Sequence, residues 1–339
     1  MGHIITWAKC LVDSKKPQPN SCYNYTTLTK DTDMTLTDLQ LHLSAASPAV
    51  TEEYTRLFHG RGNAYKGYRF LTVDSVDKVL FVVLFDPDEE ENALIAMLRD
   101  FYTREGKWKT FVLQQRYLPS SPSIVIEGEL PHETYAIENG LKYHVNFLSA
   151  QNIGFFPDMK IGRSFVRNHS SGKNVLNLFS YTCSFSVVAT DAGANAVVNV
   201  DMNKNVLTMG RENHRLNAIE TKNVEFMPYN ILKSWSRIRK SGPYDLIIID
   251  PPSFQKGSFA ATNDYEKIIR RLHEFAAEEC TVLSALNAPE LDSEFIKNLF
   301  RENAPEFRYI ERLENVETFP ESEEERSLKN LVFKKELTT

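Results

Sequence analysis

The second half of the chain alternates between short apolar runs and segments with helical spacing, and this alternation constrains the fold more than any other feature. The pattern predicts five strands, the last of them at CTVLSAL after a helix through YEKIIRRLHEFAAEE. FRYIERLENV and LKNLVFKK are predicted to follow as a closing hairpin. Strands that alternate with helices form a parallel, doubly wound sheet, whose ligands bind at the carboxyl ends of the strands. We therefore predict an α/β domain over residues 149–339. Its first four strands are NVLNLF (174–179), AVVNVD (196–201), VEFMPY (224–229) and YDLIIID (244–250).

The preceding part of the chain has a different pattern. Residues 1–45 are rich in Ser, Thr, Asn and Pro, which predicts a loosely ordered segment with a short helix at TLTDLQLHL. Residues 46–148 contain the apolar run VLFVVLF, the helically spaced segment NALIAMLRDFY, and an Asn-Gly turn within YAIENGLKYHVNF that is typical of a hairpin. These features predict a smaller N-terminal α+β domain in front of the α/β domain.

Composition disfavours several classes of protein. In 339 residues with a formal charge of −6, no stretch reaches the roughly 18 apolar residues of a membrane span. The N-terminus lacks the apolar run and cleavage site of a secretory signal, so we expect a cytoplasmic protein that does not enter a membrane. The four cysteines form no CxxC pair and the eight histidines form no HExxH, so we predict no metal. The negative charge disfavours a protein that coats nucleic acid, but it is compatible with an enzyme that acts on nucleic acid.

Polar side chains follow the first two predicted strands. After the first strand, LNLFSYTCSF carries Ser180, Thr182 and Ser184, and small hydroxylic residues let the backbone curl close to a ligand. Asp201 ends the second strand, where a carboxylate can accept both ribose hydroxyls of a nucleoside. The alternatives are an ordinary tight turn for the first feature and a helix N-cap for the second.

The fourth strand runs directly into the sequence DPPSF, from Asp250 to Phe254. The two prolines remove two donors and stiffen the loop, so the carboxylate and the backbone carbonyls face a target in a fixed geometry. An aromatic ring at the end of this loop is placed to stack on a nucleobase. We therefore predict Asp250, Pro251, Ser253 and Phe254 as catalytic residues; the alternative is a rigid turn without chemistry.

The first turn also distinguishes between two kinds of nucleoside cofactor. A nicotinamide or flavin enzyme of this fold normally carries GxGxxG after the first strand, because glycines admit the pyrophosphate. The turn FSYTCSF contains no glycine. S-adenosylmethionine has no pyrophosphate and tolerates a bulkier hydroxylic loop, so we predict S-adenosylmethionine as the cofactor and disfavour an oxidoreductase.

Several of these segments together resemble a known family. NVLNLFSYTCSFSVVA (174–189), Asp201-Met202, Asn230 and DPPSF are similar to class I methyltransferases of the 23S ribosomal RNA group, in particular to the guanine-N7 methyltransferase domain and its C5-methylcytosine cousins. The upstream segment GLKYHVNFLSAQNIGFFPDMKIGR resembles the part of that family that covers the cofactor. The resemblance spans about residues 135–339 and implies a seven-stranded Rossmann-like sheet and a ribosomal RNA substrate.

The resemblance also implies roles for individual residues. The first turn would contact the methionine end of the cofactor, Asp201 the ribose, and Met202 and Asn230 the adenine. Cys183 stands where the family usually has glycine, which would tighten the pocket, and Asn230 stands where it usually has Asp. With the strand-end positions, the predicted cofactor-binding residues are Phe156, Asp158, Asn177, Ser180, Tyr181, Thr182, Asp201, Met202, Asn230 and Asp250, with Arg163 as a further candidate.

The placement of the cysteines predicts the kind of atom that is methylated. Forming a C5-methylpyrimidine requires a cysteine thiolate that adds to the ring, and this group supplies it just after the fourth or the fifth strand. Residue 253 is Ser, no cysteine follows the fifth strand, and Cys280 lies at its other end, some 20 Å away at roughly 3.3 Å per residue. Cys183 is expected to be a packed thiol. These positions favour methylation of a base nitrogen, a transfer that needs a positioned lone pair more than a catalytic residue.

Basic residues in the small domain indicate where RNA would bind. The loop FHGRGNAYKGYRF mixes basic, glycine and aromatic residues, and a second basic stretch follows; the alternative is a solvated loop. We predict this domain as the RNA-presenting module. A methyltransferase for a protein or small molecule, and a non-catalytic module that binds S-adenosylmethionine, remain alternatives, and the chain could be a monomer or a homodimer. The basic residues concerned are Arg56, Arg61, Lys66, Arg69, Lys107, Lys109 and Arg116.

Overall fold

The computed structural model describes residues 33–148, 151–252, 254–255 and 259–336. Its N-terminal part is a five-stranded sheet whose strands lie in chain order, with the third and fourth strands parallel and joined by a helix, as a parallel crossover requires. A separate two-stranded hairpin follows at the predicted Asn-Gly turn. The elements are α1 (Leu36–Ala46), β1 (Thr55–His59), β2 (Leu71–Val76), β3 (Val79–Leu84), α2 (Glu91–Glu105), β4 (Thr110–Gln115), β5 (Ser123–Gly128), β6 (Tyr135–Glu138) and β7 (Leu141–His144).

Helix α1 packs against this sheet. At its start, Thr35 and Asp38 form a capping box in which each side chain accepts the backbone N–H of the other residue, at 3.2 and 2.9 Å. Leu39 and Leu43 lie on one face of the helix and are completely buried. The short helix predicted at TLTDLQLHL is therefore confirmed, because its leucines recur at helical spacing and reach the core. Residues 1–32 lie outside the described residues.

The C-terminal part is the predicted α/β fold. In chain order its elements are α3 (Lys160–His169), β8 (Asn174–Leu178), α4 (Ser184–Asp191), β9 (Ala196–Val200), α5 (Lys204–Leu216), β10 (Val224–Met227), α6 (Trp235–Lys240), β11 (Tyr244–Ile249), β12 (Phe254–Gln255), β13 (Phe259–Ala260), α7 (Ala261–Ile269), α8 (Leu272–Phe275), β14 (Ala276–Leu286), α9 (Ser293–Asn303), β15 (Phe307–Leu313) and β16 (Lys329–Lys335). Seven strands form one sheet in the order β10-β9-β8-β11-β14-β16-β15. The first five are parallel, and β15 and β16 add the predicted antiparallel hairpin. The strand order reverses between β8 and β11, where sheets of this kind bind ligands.

One predicted element boundary is wrong. The sequence predicts a helix that continues to Glu279, but α7 ends at Ile269, α8 ends at Phe275, and β14 begins at Ala276. The segment AAEE is a good helix former, yet here it extends β14, where Ala276 pairs with Tyr244 and the register is irregular. Pairing in the sheet therefore outweighs local propensity at this position.

A hydrophobic core continues from the small sheet into the C-terminal part. Phe81 of β3, Tyr143 of β7 and Val187 of α4 belong to one cluster of buried side chains. Nearby, Arg163 of α3 donates two hydrogen bonds of 2.7 Å to Glu138 of β6, and both side chains are almost completely buried. This continuous packing allows residues of both parts to line a common site.

Candidate functional site

A cavity of about 550 Å³ lies at the carboxyl ends of β8, β9, β10 and β11, where the strand order reverses. Two of the residues that were predicted to bind the cofactor, Asn177 and Thr182, do not line this cavity. Ser253 lies outside the described residues, and only the backbone of Phe254 is described. The predicted residues that line the cavity are Phe156, Asp158, Arg163, Ser180, Tyr181, Asp201, Met202, Asn230, Asp250 and Pro251.

The turn after β8 follows a strained path beside this cavity. Phe179, Tyr181 and Cys183 have φ angles of 57°, 46° and 61°, in the left-handed region that non-glycine residues rarely adopt. The backbone N–H of Tyr181 donates to the carboxylate of Asp201 at 3.0 Å, and the N–H of Cys183 donates to the carbonyl of Ser180 at 2.7 Å. Strain of this kind persists only where the surroundings fix it, and it is concentrated at functional sites.

Asn177 and Thr182 support this turn from inside the protein. The Asn177 side chain is completely buried, and its Nδ2 donates to Oδ1 of Asn199 on the neighbouring strand at 2.9 Å. The Thr182 hydroxyl donates to the carbonyl of Gly154 at 2.8 Å. The side chains of both residues therefore hold adjacent elements together and do not line the cavity, and their contact with a cofactor stays a prediction.

The structure also corrects the expectation that Cys183 tightens the pocket. Its side chain is buried and packs against Gly210 of α5, where an added Cβ would lie only 2.4 Å from the Cys183 sulfur. Burial raises the pKa of the Cys183 thiol to about 12, so the thiol stays protonated at neutral pH. The missing side chain at position 210 thus makes room for the larger residue at position 183.

Gly210→Ala is expected to lower the free energy of unfolding by about 1–3 kcal/mol, the usual effect of overpacking. Alanine is otherwise favoured over glycine within a helix by about 1 kcal/mol, so the sign of the change is diagnostic. Adding Cys183→Gly should restore most of the loss, because it removes the obstructing sulfur and places glycine at a positive φ. Urea denaturation of the two single variants and the double variant measures this coupling. A Gly210→Ala protein as stable as the wild type would contradict the packing argument.

Three carboxylates face the cavity, those of Asp158, Asp201 and Asp250. Desolvation raises the pKa of each, and burial together with the smaller effect of the nearby Asp158 charge raises the pKa of Asp250 to about 7. Arg163, the only arginine or lysine among the described lining residues, is already bound to Glu138, so its charge is compensated. The cavity is therefore complementary to a cation and unfavourable to an anion such as pyrophosphate.

Three buried oxygens of residues on this wall have no hydrogen-bond partner among the described residues, Oδ1 of Asp158, Oγ of Ser180 and Oδ1 of Asn230. Buried polar atoms without a partner are costly, so a ligand that forms hydrogen bonds with them would be stabilised. Phe156 and Met202 add apolar surface, with 40% and 49% of their areas exposed. A cationic nucleoside with an amino group on its base has all the properties that these residues require.

Some lining residues were not predicted from the sequence. Tyr229 and Ile231 flank Asn230 after β10, and Asn287 directly follows β14. The rule that side chains at strand ends reach the site would have identified Asn287, since it stands at the end of a predicted strand. Asn152 reaches the cavity through the packing of a connecting segment, for which the sequence contains no local signal.

A second cavity of about 320 Å³ adjoins the first on the side of the small sheet. Three of the seven basic residues predicted to approach RNA line it, namely Arg56, Arg61 and Arg116. The residues shared by both cavities are Gln151, Asn152, Phe156, Asp158 and Asn287. The two spaces are therefore adjacent and separated only by side chains that belong to both.

The described ranges contain no group of three or more His, Cys, Asp or Glu side chains that could hold a metal ion. Within the same ranges, no helix combines the length and the apolar character needed to cross a membrane.

Comparisons with known proteins point to one family. The family model for S-adenosylmethionine-dependent methyltransferases matches residues 55–334, which is more than half of the chain. A curated relative, ribosomal RNA large subunit methyltransferase I of Aeromonas salmonicida, is 39% identical over 132 residues, or 38% of this chain and 33% of the relative. The chain matches about a third to a half of the length of such curated relatives.

Two solved structures share the fold with the same scores. One is a putative S-adenosylmethionine-dependent methyltransferase from Streptococcus mutans, and the other is a putative methyltransferase complexed with S-adenosylhomocysteine. Each has a TM-score of 0.79 and 24% identity, over 90% of this chain and 83% of the other.

Proposed function

Because the chain belongs to the family of S-adenosylmethionine-dependent methyltransferases, we propose that it transfers a methyl group from S-adenosylmethionine to a nitrogen of an RNA base. The observation that carries this proposal is the junction of two cavities, one lined by carboxylates and complementary to a cationic nucleoside, the other lined by arginines. The name of the curated relative supports ribosomal RNA as the substrate.

The residues of the larger cavity fit S-adenosylmethionine. Asp201 would accept the ribose hydroxyls, and the unpartnered Oδ1 of Asn230 would accept the amino group of the adenine. Met202 and Phe156 would pack on the adenosine, and Asp158 would accept the ammonium group of the methionine end. When bound, the cofactor supplies an electrophilic methyl group on a positively charged sulfur.

Asp250 is the residue we propose to act on the acceptor nitrogen. Pro251 stiffens the backbone behind it, so the carboxylate is held at the cavity wall. An ionised Asp250 accepts a hydrogen of the base, stabilises the positive charge that develops on the nitrogen, and takes up the proton. Its pKa of about 7 suits this transfer at neutral pH. Ser253 and Phe254 follow on the same segment and stay proposed contacts of the base.

The described cysteines favour nitrogen over the C5 carbon of a pyrimidine as the methylated atom. Cys183 and Cys280 are both buried, and burial raises the pKa of each thiol to about 12. Neither lines either cavity, so neither is placed to add to a pyrimidine ring as a thiolate. Cys10 and Cys22 lie outside the described residues.

Incubation with tritiated S-adenosylmethionine and RNA from a strain that lacks the gene tests the proposal. We expect label in the RNA and, after digestion, in an N-methylated nucleoside. RNA from the parent strain is the control, because its site is already modified and should accept little label. Label in 5-methylcytidine would contradict the choice of nitrogen, and label only in protein or small molecules would contradict RNA as the substrate.

A further inference from the structure

We propose that the smaller cavity binds a phosphodiester group of the acceptor strand, next to the nucleotide that is methylated, through the guanidinium groups of Arg61, Arg116 and Arg326. This inference rests on the proposed function. The cavity, which lies between the small sheet and the C-terminal part, would bind the RNA backbone. The three arginines line a single cavity of about 320 Å³, a volume within the range of ligand sites.

Two of these arginines are held against one aromatic ring. The Arg61 guanidinium carbon lies 4.2 Å from the centroid of the Phe85 ring, and that of Arg116 lies 5.0 Å from the same centroid. The Arg116 guanidinium also donates to Oδ1 of Asn152 at 3.3 Å. These contacts hold two positive charges close together at the cavity.

The charges of Arg61, Arg116 and Arg326 are not compensated by ion pairs within the described part of the chain. Desolvation lowers the pKa of Arg116, and the nearby Arg61 charge lowers it further. Desolvation and the charge of Arg69 lower the pKa of Arg61, which the Asp86 charge partly opposes. A ligand phosphate that accepts hydrogen bonds from both Arg61 and Arg116 would therefore stabilise their charged forms.

The fourth arginine of the cavity has a different role. Arg56 donates to the carboxylate of Asp74 at 2.5 Å, and it also contacts Nδ1 of His59 at 2.6 Å. Its charge is therefore compensated by a buried carboxylate, and we do not assign it to the phosphate. The carboxylate of Glu321 also lines the cavity, where it accepts the backbone N–H of Ser322 at 2.9 Å.

A close contact between loops fixes Arg61 at the cavity. The next residue, Gly62, lies so near the C-terminal part that an added Cβ would be 1.9 Å from the carbonyl oxygen of Pro320. The carbonyl of Gly62 accepts the backbone N–H of Ser322 at 2.8 Å. Gly62 is therefore required for this close contact between the basic loop and the C-terminal part.

The two cavities have complementary roles because their shared residues place an anion site beside a cation site. Phe156, Asp158 and Asn287 line both spaces, so a strand whose phosphate lies among the arginines has its base next to the carboxylate-lined cavity. A nucleic acid strand meets both requirements, since it carries anionic linkages at every nucleotide and uncharged bases between them.

The test compares RNA binding by the double variant Arg61→Gln/Arg116→Gln and by Arg326→Gln with binding by Arg301→Gln. Arg301 is an exposed residue of α9 that lines neither cavity, so its variant has the same change of charge as Arg326→Gln and shows the effect of losing one positive charge elsewhere on the protein. The probe is a fluorescein-labelled fragment of the ribosomal RNA that the wild-type protein methylates, titrated by anisotropy at several salt concentrations. We expect a loss of affinity on the order of ten-fold per lost contact. The slope of log K against log salt should become shallower by about 0.7 per contact for a single strand.

Binding of S-adenosylhomocysteine, measured by calorimetry, shows that each variant is folded and has an intact cofactor cavity. The assignment of the smaller cavity would be overturned if the wild-type protein methylates RNA but the arginine variants of this cavity bind RNA with the same affinity and salt slope as Arg301→Gln. The proposed function would then remain intact. A wild-type protein that methylates no RNA would instead overturn the proposed function, and the phosphate site with it.

Discussion

Asp250→Asn is expected to lower the rate of methyl transfer by about 100- to 1000-fold, which lies within the roughly 100- to 10,000-fold that general base catalysis commonly contributes. The asparagine keeps the shape of the side chain at the cavity wall but removes its negative charge and its ability to take up a proton. S-adenosylhomocysteine should still bind with nearly wild-type affinity, because it lacks the charged sulfur that the carboxylate would attract. Single-turnover transfer to RNA and calorimetric titration measure the two quantities.

The pH dependence of the reaction gives Asp250 a second signature. The pKa of its carboxyl group is about 7 in the protein, so the group is protonated and inactive as a base below this pH and ionised above it. The value of kcat/KM should therefore rise about ten-fold per pH unit below 7 and level off above it. The positive sulfur of the bound cofactor favours the ionised form, so kcat should level off at a lower pH. The increases of kcat/KM and of kcat with pH should both be absent in Asp250→Asn.

Asp100→Asn, on an exposed face of α2, is the matched control and should leave the rate unchanged.

The pH dependence of stability provides a further check on Asp250. The folded protein holds the Asp250 proton more tightly than the unfolded chain does, so this group contributes most to stability below about pH 4 and that contribution is lost as the pH rises to 7. Asp250→Asn should therefore be at least as stable as the wild type at pH 8. If Asp250→Asn transfers the methyl group at close to the wild-type rate, Asp250 does not take part in the chemical step.

Local sequence patterns were sufficient to predict the fold class, because the parallel strands of the large sheet are short, mostly apolar runs that alternate with helical segments. They were insufficient where two elements compete for the same residues. The segment from Ala276 to Glu279 favours a helix by composition, and only its place beside β11 extends the strand. Helix α3 and helix α9 were also not predicted.

The site was predictable where a strand end determines the position of a side chain. Asp201 and Asp250 follow two parallel strands, and Asn230, which was predicted from the family resemblance, follows a third; all three line the cavity. Sequence position was not sufficient in the turn after β8, since the Thr182 side chain turns inward although its neighbour Tyr181 lines the cavity. The pairing of Cys183 with Gly210 depends on the packing of α5 against the turn, which is a long-range contact that neither residue indicates alone.

The carboxylate of Asp201 connects the strained turn to the cofactor cavity. One of its oxygens accepts the N–H of Tyr181 at 3.0 Å, and the other accepts the N–H of Asn203 at 2.9 Å. The same carboxylate lines the cavity, so its remaining lone pairs are available to the ribose hydroxyls that we propose it binds. A single side chain thus holds the left-handed turn in place and presents acceptors to the ligand.

Asp201→Ala is therefore expected to weaken S-adenosylmethionine binding by about 100-fold, because hydrogen bonds to a charged group contribute about 1.5–3 kcal/mol each and the turn is released as well. Asp292→Ala is the matched control, since it removes a carboxylate that accepts the N–H of Phe295 at 3.1 Å and caps α9 away from both cavities. The control should lower the free energy of unfolding by about 1 kcal/mol and leave the affinity unchanged. Calorimetric titration of both variants with S-adenosylmethionine decides the matter. Equal affinities would show that Asp201 holds the turn without binding the cofactor, and the ribose would then need another acceptor.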